Sequence, residues 1–548
     1  MYSLTTLAVI PARGGSKGIP RKNMRLMGGV PLIQYAINNA LQCSLIDEVA
    51  VSTDSEEIIS YVSQFKKIHI VKRDSELAKD ATTLDPVVFD AVIQVENKLA
   101  CKFDVVVTMQ PTSPLLKTVT LTRALDAFKK SDRDSFISVV NDPHLSWTNN
   151  NDGIVVPEYK ERLNRQQLPP RYMETGAFLI SRREVLTPSS RLGSMVGVFE
   201  TPKEESTDID TREDWIVCEA LLSRKKIAFR VDGYPSLGMG HVYRTLTLAY
   251  ALVNHDVCFI CNELYKEGIQ KLRSANMNVI TIKDDDELLD WLSDNKIDIL
   301  VNDRLDTSID YVKAIKKRVN RFVSFEDLGE GAHIADAVVN EIYEVGSCYP
   351  HVYTGSDYVC LRDEFLTARP SEYKDEVSRV LVMFGGTDPQ NLTQRVYDTA
   401  QRYNSTRVNK IRFDFIIGGG YCHKIPCDCP ENNIFVFRDV LRVSDYMKKA
   451  DVAISSQGRT TFELASMGVP TIVLAQNKRE QLHTFAQMNN GFINLGLGSE
   501  VADDDILNTL KWLIDSGSIR KEMHSLMLRT DLLSGINRVV RIILGEVE

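Results

Sequence analysis

The sequence predicts an α/β protein with mostly parallel sheets, divided into several domains. Short apolar runs typical of buried strands, such as "LAVIPA" and "DVVVTMQP", alternate with helical patterns along the chain. A strand that leads into a glycine-rich turn occurs at the start, again near Lys226, and again at residues 379–391. Each recurrence is typical of the first strand of a new sheet, so we expect separate α/β bodies.

The domain boundaries follow from these restarts and from one polar stretch. The helical pattern "DWIVCEALLSRKK" ends just before the strand "IAFRVDG", and the polar segment "ARPSEYKDEVS" precedes the strand "RVLVMF". A polar segment with proline between two ordered patterns is typical of a linker or hinge. We therefore predict domains over residues 1–224, 225–374 and 375–548.

Composition and charge argue against several classes of protein. The 65 lysines and arginines are outnumbered by 74 aspartates and glutamates, giving a formal net charge of −9, so a broad basic surface for nucleic acid is not expected. No apolar run reaches the roughly 18 residues of a membrane span, and the N-terminus lacks the order of a signal peptide. We expect a cytoplasmic protein with small-molecule partners, bound to neither nucleic acid nor membrane.

The first glycine-rich turn, "PARGGSKGIPRKN" at residues 11–23, suits a polyphosphate ligand. Its glycines, Gly14 and Gly15 among them, let backbone amides turn toward a ligand, and its lysines and arginines supply positive charge. The spacing matches neither the P-loop nor the dinucleotide fingerprint. The alternative is a basic surface turn without a ligand.

Five motifs occur in order within residues 9–215: "VIPARGGSKGIPRKN", "VSTDSEEI", "MQPTSPL", "RQQLPPRY" and "STDIDTREDW". Together they resemble the acylneuraminate cytidylyltransferases, the CMP-sialic acid synthetase family. The resemblance implies a Rossmann-like nucleotidyltransferase domain. It also implies the reaction of CTP with a nine-carbon 2-keto sugar acid, with release of pyrophosphate.

The same resemblance assigns roles to individual residues. Arg13, Lys17 and Lys22 match the positions that contact the triphosphate and are expected to be catalytic. The nucleotide and sugar pocket is expected to contain Gly14, Gly15, Ser16, Asn23, Gln110, Thr112, Ser113 and Arg165. Arg165 is the candidate partner for the carboxylate of the sugar acid.

The pair Asp208 and Asp210 in "TDIDT" is the predicted Mg²⁺ site. Residues two apart on an extended segment point to the same side, and Mg²⁺ prefers carboxylate, phosphate and water oxygens. A solvated acidic turn is the alternative.

One departure from the family concerns the sugar acid. The family commonly has Asn-Gly-Ala where this chain has Thr175-Gly176-Ala177, which leaves the identity of the sugar acid open. The family also dimerises through the segment around residues 140–175, which implies a homodimer or higher homo-oligomer here.

A second ligand loop is predicted at residues 230–249, "RVDGYPSLGMGHVYRTLTLA". The strand ends in a turn containing Gly238 and Gly240, and His241 falls in the first turn of the following helix. A helix N-terminus offers free amides to a diphosphate and favours a neutral imidazole that can act as a base. The alternative is a histidine that only packs beneath the loop.

This loop, together with "GGTDPQN" and "ISSQGRTTFELASMGVPTI", resembles the UDP-sugar hydrolase of pseudaminic acid biosynthesis, a two-lobed GT-B-like protein related to the MurG-type glycosyltransferases. The resemblance covers about residues 226–500. It implies that His241 is the base that activates water, with Asp232 near it, while UDP leaves. Ligand contacts to the UDP-sugar are expected from Gly238, Gly240, Gly385, Gly386, Thr387, Asn391, Gly458 and Glu463, with Glu463 on the ribose hydroxyls.

The sequence as a whole predicts a bifunctional enzyme, a nucleotidyltransferase domain followed by a two-lobed GT-B-like module. The expected ligands are CTP, Mg²⁺, a nine-carbon 2-keto sugar acid and a UDP-sugar. The sugar acid could be pseudaminic, legionaminic or N-acetylneuraminic acid. The second half could instead be a glycosyltransferase or a non-catalytic module that binds a nucleotide sugar.

Overall fold

The computed structural model describes residues 4–15, 18–79, 81–234, 239–343, 349–438 and 440–546. Contacts divide the chain into unit 1, Met1–Arg224, and unit 2, Lys225–Glu548. The predicted α/β class is confirmed, since helices alternate with strands of two seven-stranded sheets and one six-stranded sheet. Of the described helices, none combines the length and apolar character needed to cross a membrane.

Unit 1 contains one large sheet flanked by helices. Its strands are β1 (Thr6–Pro11), β2 (Leu26–Met27), β3 (Val30–Pro31), β4 (Glu48–Thr53), β5 (Ile68–Lys72), β6 (Val105–Met109), β7 (Ser135–Asn141), β8 (Trp147–Asn149), β9 (Val155–Pro157), β10 (Tyr172–Arg182) and β11 (Val196–Glu200). Its helices are α1 (Ile33–Gln42), α2 (Glu56–Val62), α3 (Leu84–Leu99), α4 (Thr118–Lys129) and α5 (Arg212–Leu222).

The strand order of the large sheet is β11-β7-β10-β6-β1-β4-β5. The described pairings are parallel except those of β10, which runs antiparallel to both β6 and β7. Both faces of β1 are buried, with Ala8 and Ile10 in one apolar cluster and Leu7 and Val9 in another. Burial on both faces explains why this strand is continuously apolar in the sequence.

The antiparallel strand β10 carries an irregularity that the sequence did not indicate. Its pairing with β7 shifts register between Glu174 and Leu179, and Gly176 has a φ of +69°. Such a bulge changes the direction of the backbone locally, and glycine tolerates this conformation without steric strain. The bulge lies beside the predicted "QPTS" turn and shapes the ligand site described below.

Unit 2 begins with a lobe whose seven strands are all parallel. They are β12 (Lys226–Val231), β13 (Asp256–Asn262), β14 (Val279–Ile282), β15 (Ile299–Asp303), β16 (Arg321–Phe325), β17 (Ala337–Asn340) and β18 (Val352–Thr354). The helices of this segment are α6 (Gly240–Ala251), α7 (Lys266–Ser274), α8 (Asp285–Asn295), α9 (Ile309–Lys316) and α10 (Asp363–Thr367).

A second all-parallel sheet follows in unit 2. Its strands are β19 (Arg379–Met383), β20 (Arg412–Ile417), β21 (Ile434–Arg438), β22 (Val452–Ser456), β23 (Thr471–Ala475) and β24 (Phe492–Leu497). The helices of this segment are α11 (Leu392–Ser405), α12 (Ser444–Met447), α13 (Thr460–Ser466), α14 (Asp503–Asp515), α15 (Gly517–Arg529) and α16 (Gly535–Leu544).

Both sheets of unit 2 are doubly wound. The orders are β14-β13-β12-β15-β16-β17-β18 and β21-β20-β19-β22-β23-β24. In each, the chain starts in the middle, builds one side, and then returns to build the other. The direction reverses between β12 and β15 and between β19 and β22, and ligands of such sheets bind in the crevice outside the carboxyl ends of these strands. In unit 1 the corresponding crevice lies between β1 and β6.

The last helix departs from the predicted domain division. Although α16 belongs to the predicted third domain, Ile536, Val539, Ile542 and Ile543 pack into the apolar core of the first lobe with strands β12 and β15. The helix is amphipathic, and its apolar face is buried against that lobe. The segment from residue 375 to residue 548 is therefore not one compact lobe, because its C-terminal helix completes the preceding one.

Candidate active sites of the two units

The carboxyl ends of β1 and β6 bring two of the predicted motifs of unit 1 together. Arg13 and Gly14 follow β1, while Gln110, Thr112 and Ser113 follow β6, and the two strands pair directly. This is the crevice of the sheet, where a strand-end loop can present backbone amides and side chains to one ligand. Lys17, predicted to contact the triphosphate, and Ser16, predicted to line the nucleotide and sugar pocket, lie outside the described residues.

The glycine loop after β1 is held by its neighbours. The Gly14 amide donates to Oδ1 of Asp54 at 2.9 Å, and a Cβ at position 14 would lie 2.9 Å from Cβ of Ser55. Asn23 is buried and donates from Nδ2 to the Arg13 carbonyl at 2.9 Å. Asn23 thus supports the shape of the loop. Its buried Oδ1 has no hydrogen-bond partner among the described residues.

Asp208 and Asp210 flank the buried Ile209 in an irregular extended segment. Lys22 lies beside this pair, because its Nζ donates to the Ile209 carbonyl and is 3.6 Å from Oδ1 of Asp210. The two acids differ in environment. The Asp210 side chain is 78% exposed, whereas Oδ1 of Asp208 is buried and unpartnered among the described side chains.

Burial raises the pKa of Asp208 above its ordinary value; the Asp210 carboxylate adds to this rise, and the Thr112 side chain opposes it. A buried carboxylate of this kind is stabilised by a cation.

The bulge of β10 joins this acidic segment to the "QPTS" turn. A Cβ at Gly176 would lie 2.9 Å from Oδ2 of Asp208 and 3.2 Å from Nε2 of Gln110. The amide of Ile209 donates to the Thr112 carbonyl at 2.9 Å. A side chain at position 176 would collide with Asp208, and the positive φ would strain any residue that has a Cβ. Both observations explain why the residue is glycine.

The residues present fit a Mg²⁺ ion. Within the described part of the chain, no three His, Cys, Asp or Glu side chains form a complete metal cage. Mg²⁺ is usually held by one or two carboxylates, with substrate phosphates and water supplying the other ligands. The unpartnered Oδ1 of Asp208 and the neighbouring carboxylate of Asp210 would supply such a partial set.

Two residues at the sugar side are engaged elsewhere. The Arg165 guanidinium pairs with Asp142 on the segment that also carries β8 and β9, and Arg165 is exposed. The Thr175 hydroxyl donates to Oγ of Ser138 at 2.8 Å inside the sheet. In this conformation neither side chain joins the group formed by Gln110 and Asp208.

A buried arginine in unit 1 was not found by the sequence reasoning. Arg73 follows β5 and donates from its terminal nitrogen to the Ser52 carbonyl at 2.8 Å. Burial lowers the pKa of Arg73, the nearby Asp54 opposes this effect, and Arg13 adds to it. The cation therefore lies near the base of the glycine loop. A basic residue directly after a strand, as in "IVKRD", is the signal that could have indicated it.

In unit 2 the predicted base lies at the reversal point of the first lobe. His241 is in the first turn of α6, which follows β12, and its Nδ1 is 2.6 Å from Oδ1 of Asp303, the last residue of β15. Asp303 is fully buried and His241 is 8% exposed. Gly240 precedes the histidine and lines the neighbouring cleft, while Gly238 lies outside the described residues.

Asp303 belongs to a buried network of charges. Arg244, one helical turn after His241, donates from Nε to Oδ2 of Asp303 at 2.9 Å and from a terminal nitrogen to Oδ1 at 2.5 Å. Arg244 also pairs with Glu326 and Glu341. Burial alone would raise the pKa of Asp303, but the charge of Arg244 holds it well below its ordinary value.

Arg459, which precedes α13, connects this network to the second sheet. Its guanidinium pairs with Glu341, lies 3.8 Å from Glu326, and donates to the Cys360 carbonyl at 2.9 Å. Burial and the neighbouring charge of Arg244 lower the pKa of Arg459 to about 10. Glu326 has a φ of +51°, a conformation that non-glycine residues adopt mainly where the surrounding contacts impose it.

Asp232, predicted near the histidine as a second catalytic residue, directly follows β12. Asp232 is buried, accepts from Arg230 at 2.7 Å, and accepts from the Asn262 amide at 2.8 Å. The carboxylate that contacts His241 is Asp303. Asp232 neutralises the buried Arg230 at the carboxyl end of β12, inside the sheet, and its catalytic role stays a prediction.

Between the two sheets of unit 2 lies a cleft of about 460 Å³. Gly385 has a φ of +75°, and the turn it forms with Gly386 lines the cleft together with Thr387. A Cβ at Gly418 would lie 2.6 Å from the backbone of Gly386. The glycine turn "GGG" at 418–420, absent from the sequence predictions, therefore completes the same wall of the cleft.

Glu463 on α13 also lines the cleft, in the company of a cation. Arg362 donates to both of its oxygens, at 2.7 and 3.0 Å, and lines the cleft as well. A ribose that binds Glu463 would have to share or displace Arg362.

Each of the remaining two predicted UDP contacts lies close to another side chain of the protein. Asn391 precedes α11 and accepts from the Tyr421 hydroxyl at 2.5 Å. A Cβ at Gly458, which precedes Arg459, would lie 3.6 Å from Glu480.

Comparison with known proteins divides the chain in the same way. Residues 7–213 match the cytidylyltransferase family, and residues 380–497 match the glycosyltransferase family 28 C-terminal domain. Post-translational flagellin modification protein B of Campylobacter coli is 29% identical over 226 residues, which are 40% of this chain and 96% of that protein. N-acylneuraminate cytidylyltransferase B of Danio rerio is 30% identical over 291 residues, 52% of this chain and 67% of the relative.

The chain spans about half the length of several other curated N-acylneuraminate cytidylyltransferases that it matches. Among solved structures, MurG of Acinetobacter baumannii aligns with a TM-score of 0.46 and 15% identity, over 59% of this chain and 99% of that one. The chain belongs, through its first unit, to the acylneuraminate cytidylyltransferase family, and it carries a glycosyltransferase family 28 C-terminal domain fused behind that unit.

Proposed function

We propose that the protein is a bifunctional enzyme of nonulosonic acid synthesis. Unit 1 transfers CMP from CTP to a nine-carbon 2-keto sugar acid with release of pyrophosphate, and unit 2 hydrolyses a UDP-sugar. For unit 1 the observation that carries the proposal is the meeting of the loop after β1, the "QPTS" turn and Asp208 at one crevice. For unit 2 it is the contact of His241 with Asp303 beside a glycine-lined cleft.

In unit 1 the reaction is an in-line displacement at the α-phosphorus of CTP. The sugar hydroxyl attacks and pyrophosphate leaves, so negative charge builds on the phosphate oxygens and stabilisation of that charge supplies most of the catalysis. Arg13 and Lys22 lie at the crevice with their positive charges, and backbone amides of the loop add donors. Asp208 and Asp210 would hold a Mg²⁺ ion, whose charge would supply further neutralisation of the phosphates.

In unit 2 the leaving group is UDP. His241 takes a proton from water, the water oxygen forms a bond to the anomeric carbon, and the carbon–oxygen bond to UDP breaks with its electron pair remaining on the phosphate. Arg362 and Arg459 line the cleft and can neutralise the diphosphate. The glycine turns after β19 and β20 leave room for the phosphates to approach the backbone.

For the sugar we propose pseudaminic acid, with a UDP-2,4-diacetamido-2,4,6-trideoxyhexose as the substrate of unit 2. The motif resemblance of both halves supports this choice, and so does a relative whose name assigns it to flagellin modification. Legionaminic and N-acetylneuraminic acid are the alternatives for unit 1. We further propose a homodimer formed through residues 140–175, where Trp147, Val155 and Met173 are each more than half exposed.

The test of unit 1 is a panel of the three sugar acids with CTP and Mg²⁺, followed by mass detection of the CMP-sugar. We expect CMP-pseudaminic acid as the main product. Formation of one of the other two products would change the substrate but keep the reaction, and no CMP-sugar from any of the three would refute the proposal for unit 1.

A glycosyltransferase is the second candidate for unit 2, because its C-terminal domain matches glycosyltransferase family 28. The distinction is whether water or an acceptor hydroxyl attacks the anomeric carbon. We expect free sugar and UDP from the UDP-diacetamido sugar without any acceptor, and loss of both with His241→Ala. UDP release only after an acceptor is added would indicate a transferase, and binding without turnover would indicate a non-catalytic module.

A further inference from the structure

We infer that Asp303 is the positioning residue for His241, holding the imidazole in the tautomer that leaves Nε2 as the base. This inference deepens the proposed hydrolysis by unit 2 and rests on it for its kinetic consequences. The observation behind it is the contact between Nδ1 of His241 and Oδ1 of Asp303 at 2.6 Å, inside a network of buried charges.

Hydrogen-bond chemistry fixes the direction of this contact. An ionised carboxylate can only accept, and a ring nitrogen must carry a proton to donate. In the neutral imidazole the proton therefore resides on Nδ1, which leaves the lone pair on Nε2. The Arg244 guanidinium is also 3.2 Å from Nδ1 but can only donate, so it cannot replace Asp303 as the acceptor.

Arg244 prevents Asp303 from rotating away. Two nitrogens of the guanidinium donate to the two oxygens of Asp303, at 2.9 and 2.5 Å, so the carboxylate is held on both sides. Asp303 ends β15 and Arg244 lies on α6, so the contact ties the helix that carries the histidine to the neighbouring strand. The bidentate geometry of arginine with carboxylate suits this role.

The network around His241 contains five charged side chains. Three carboxylates face the group from the ends of separate strands, those of Asp303, Glu326 and Glu341, and two guanidinium groups oppose them, those of Arg244 and Arg459. The network therefore carries one excess negative charge when the imidazole is neutral. When His241 takes a proton from water, the charges balance, which stabilises the ion pair formed in the reaction.

Asp303 acts through His241, so its substitution should change the reaction in a specific way. With Asp303→Asn we expect kcat for UDP release from the UDP-diacetamido sugar to fall about 10²–10⁴-fold, with KM changed less than about threefold. A residue with only a structural role would not produce this separation of kcat from KM.

Glu326→Gln is the matched control. It also removes one buried carboxylate from Arg244, but Glu326 makes no hydrogen bond to the imidazole among the described contacts. We expect kcat to fall less than about tenfold with this variant. Equal thermal unfolding midpoints of the two variants would ensure that the difference in rate is not a difference in folding. Equal losses of kcat in both variants would overturn the inference.

A measurement without turnover tests the tautomer in the wild-type chain. Histidines labelled with ¹⁵N are observed through long-range correlations to ring protons, and the His241 signals are identified by their loss in His241→Gln. We expect Nδ1 to be protonated and Nε2 unprotonated in the neutral ring. The opposite tautomer would overturn the role of Asp303. If the wild-type chain releases no UDP, the proposed hydrolysis fails while this spectrum still decides the tautomer.

Discussion

The crevice of unit 1 and the first crevice of unit 2 occupy the same place in their sheets. Their charged side chains differ in burial and in pairing. In unit 1, Asp210 is 78% exposed and Oδ1 of Asp208 has no partner among the described residues. In unit 2, Asp303 and Arg244 are fully buried and form an ion pair with each other, and His241 contacts Asp303.

The two proposed reactions account for this difference. A triphosphate with a metal ion supplies its own charges, so the protein at that site needs available acceptors and cations. Activation of neutral water requires a base. The protein itself must supply the charges that compensate the protonated base, and the fold must place them before the reaction begins. The predictions below test this contrast in order of expected effect.

The largest effect should come from the unpartnered carboxylate of unit 1. Asp208→Asn removes a negative charge from the proposed Mg²⁺ site, so we expect Mg²⁺-dependent pyrophosphate release to fall about 10³-fold. UDP release by unit 2 should not change. Asp126→Asn is the control, since Asp126 pairs with Lys130 on the surface of α4. Wild-type turnover of Asp208→Asn would show that this carboxylate holds no essential metal.

The second effect concerns the buried cation of unit 2. Arg244→Met leaves the buried carboxylates of Asp303, Glu326 and Glu341 with one fewer counter-charge, and we expect unit 2 to lose about 3–5 kcal/mol of unfolding free energy. Pulse proteolysis in urea, with fragments of the two units separated by mass, measures each midpoint.

Arg402→Met is the control for Arg244→Met. Arg402 pairs with Asp504 at the surface, where both side chains are more than half exposed, and such pairs contribute about 1 kcal/mol or less. If Arg244→Met loses no more unfolding free energy than Arg402→Met, then burial does not make the loss of an ion pair more costly in this network.

A buried neutral histidine should make unit 2 sensitive to acid. Burial lowers the pKa of His483 to about 4, although its contact with the Gln457 carbonyl acts in the opposite direction. The unfolded chain binds this proton near pH 6.5 and the folded chain near pH 4. Stability therefore falls as the pH drops through this window, by about 3 kcal/mol from this group.

The comparison of His483→Gln with wild type tests the acid effect. The variant should lose this part of the pH dependence of the unfolding free energy between pH 6.5 and 4, whatever its stability at neutral pH. His333→Gln, which changes an exposed histidine, should keep the full slope. An unchanged slope in His483→Gln would contradict the assignment of the acid effect to this side chain.

The smallest effect is expected at an ion pair near the network but at the surface. Arg479 donates to both oxygens of Asp306 at 3.0 Å, and Asp306 is half exposed. We expect Asp306→Ala to lower the stability of unit 2 by about 0.5–1 kcal/mol, and less at high salt. A loss as large as that of Arg244→Met would mean that pairing matters more than burial in this region.

Much of the fold and part of the sites could be predicted from local sequence. The runs that became β1, β6 and β12 are mostly apolar because both of their faces are buried, and the glycine turns after β1 and β12 are local requirements. The same reasoning placed His241 at the start of its helix. Side chains that come from distant strands could not be found in this way.

Asp303 illustrates the limit. It lies 62 residues after His241, and only the order of the sheet, with β15 directly beside β12, makes the two neighbours. The bulge at Gly176 and the packing of α16 likewise depend on long-range contacts.

The sequence by itself determined where strands begin, where glycine allows a turn, and which chemistry the motifs resemble, because hydrophobic periodicity and backbone freedom act over a few residues. The tertiary structure alone decided which acid meets the histidine, which carboxylate lacks a partner, and which lobe receives the last helix. These outcomes depend on strand order and on burial, which bring together residues that no local pattern connects.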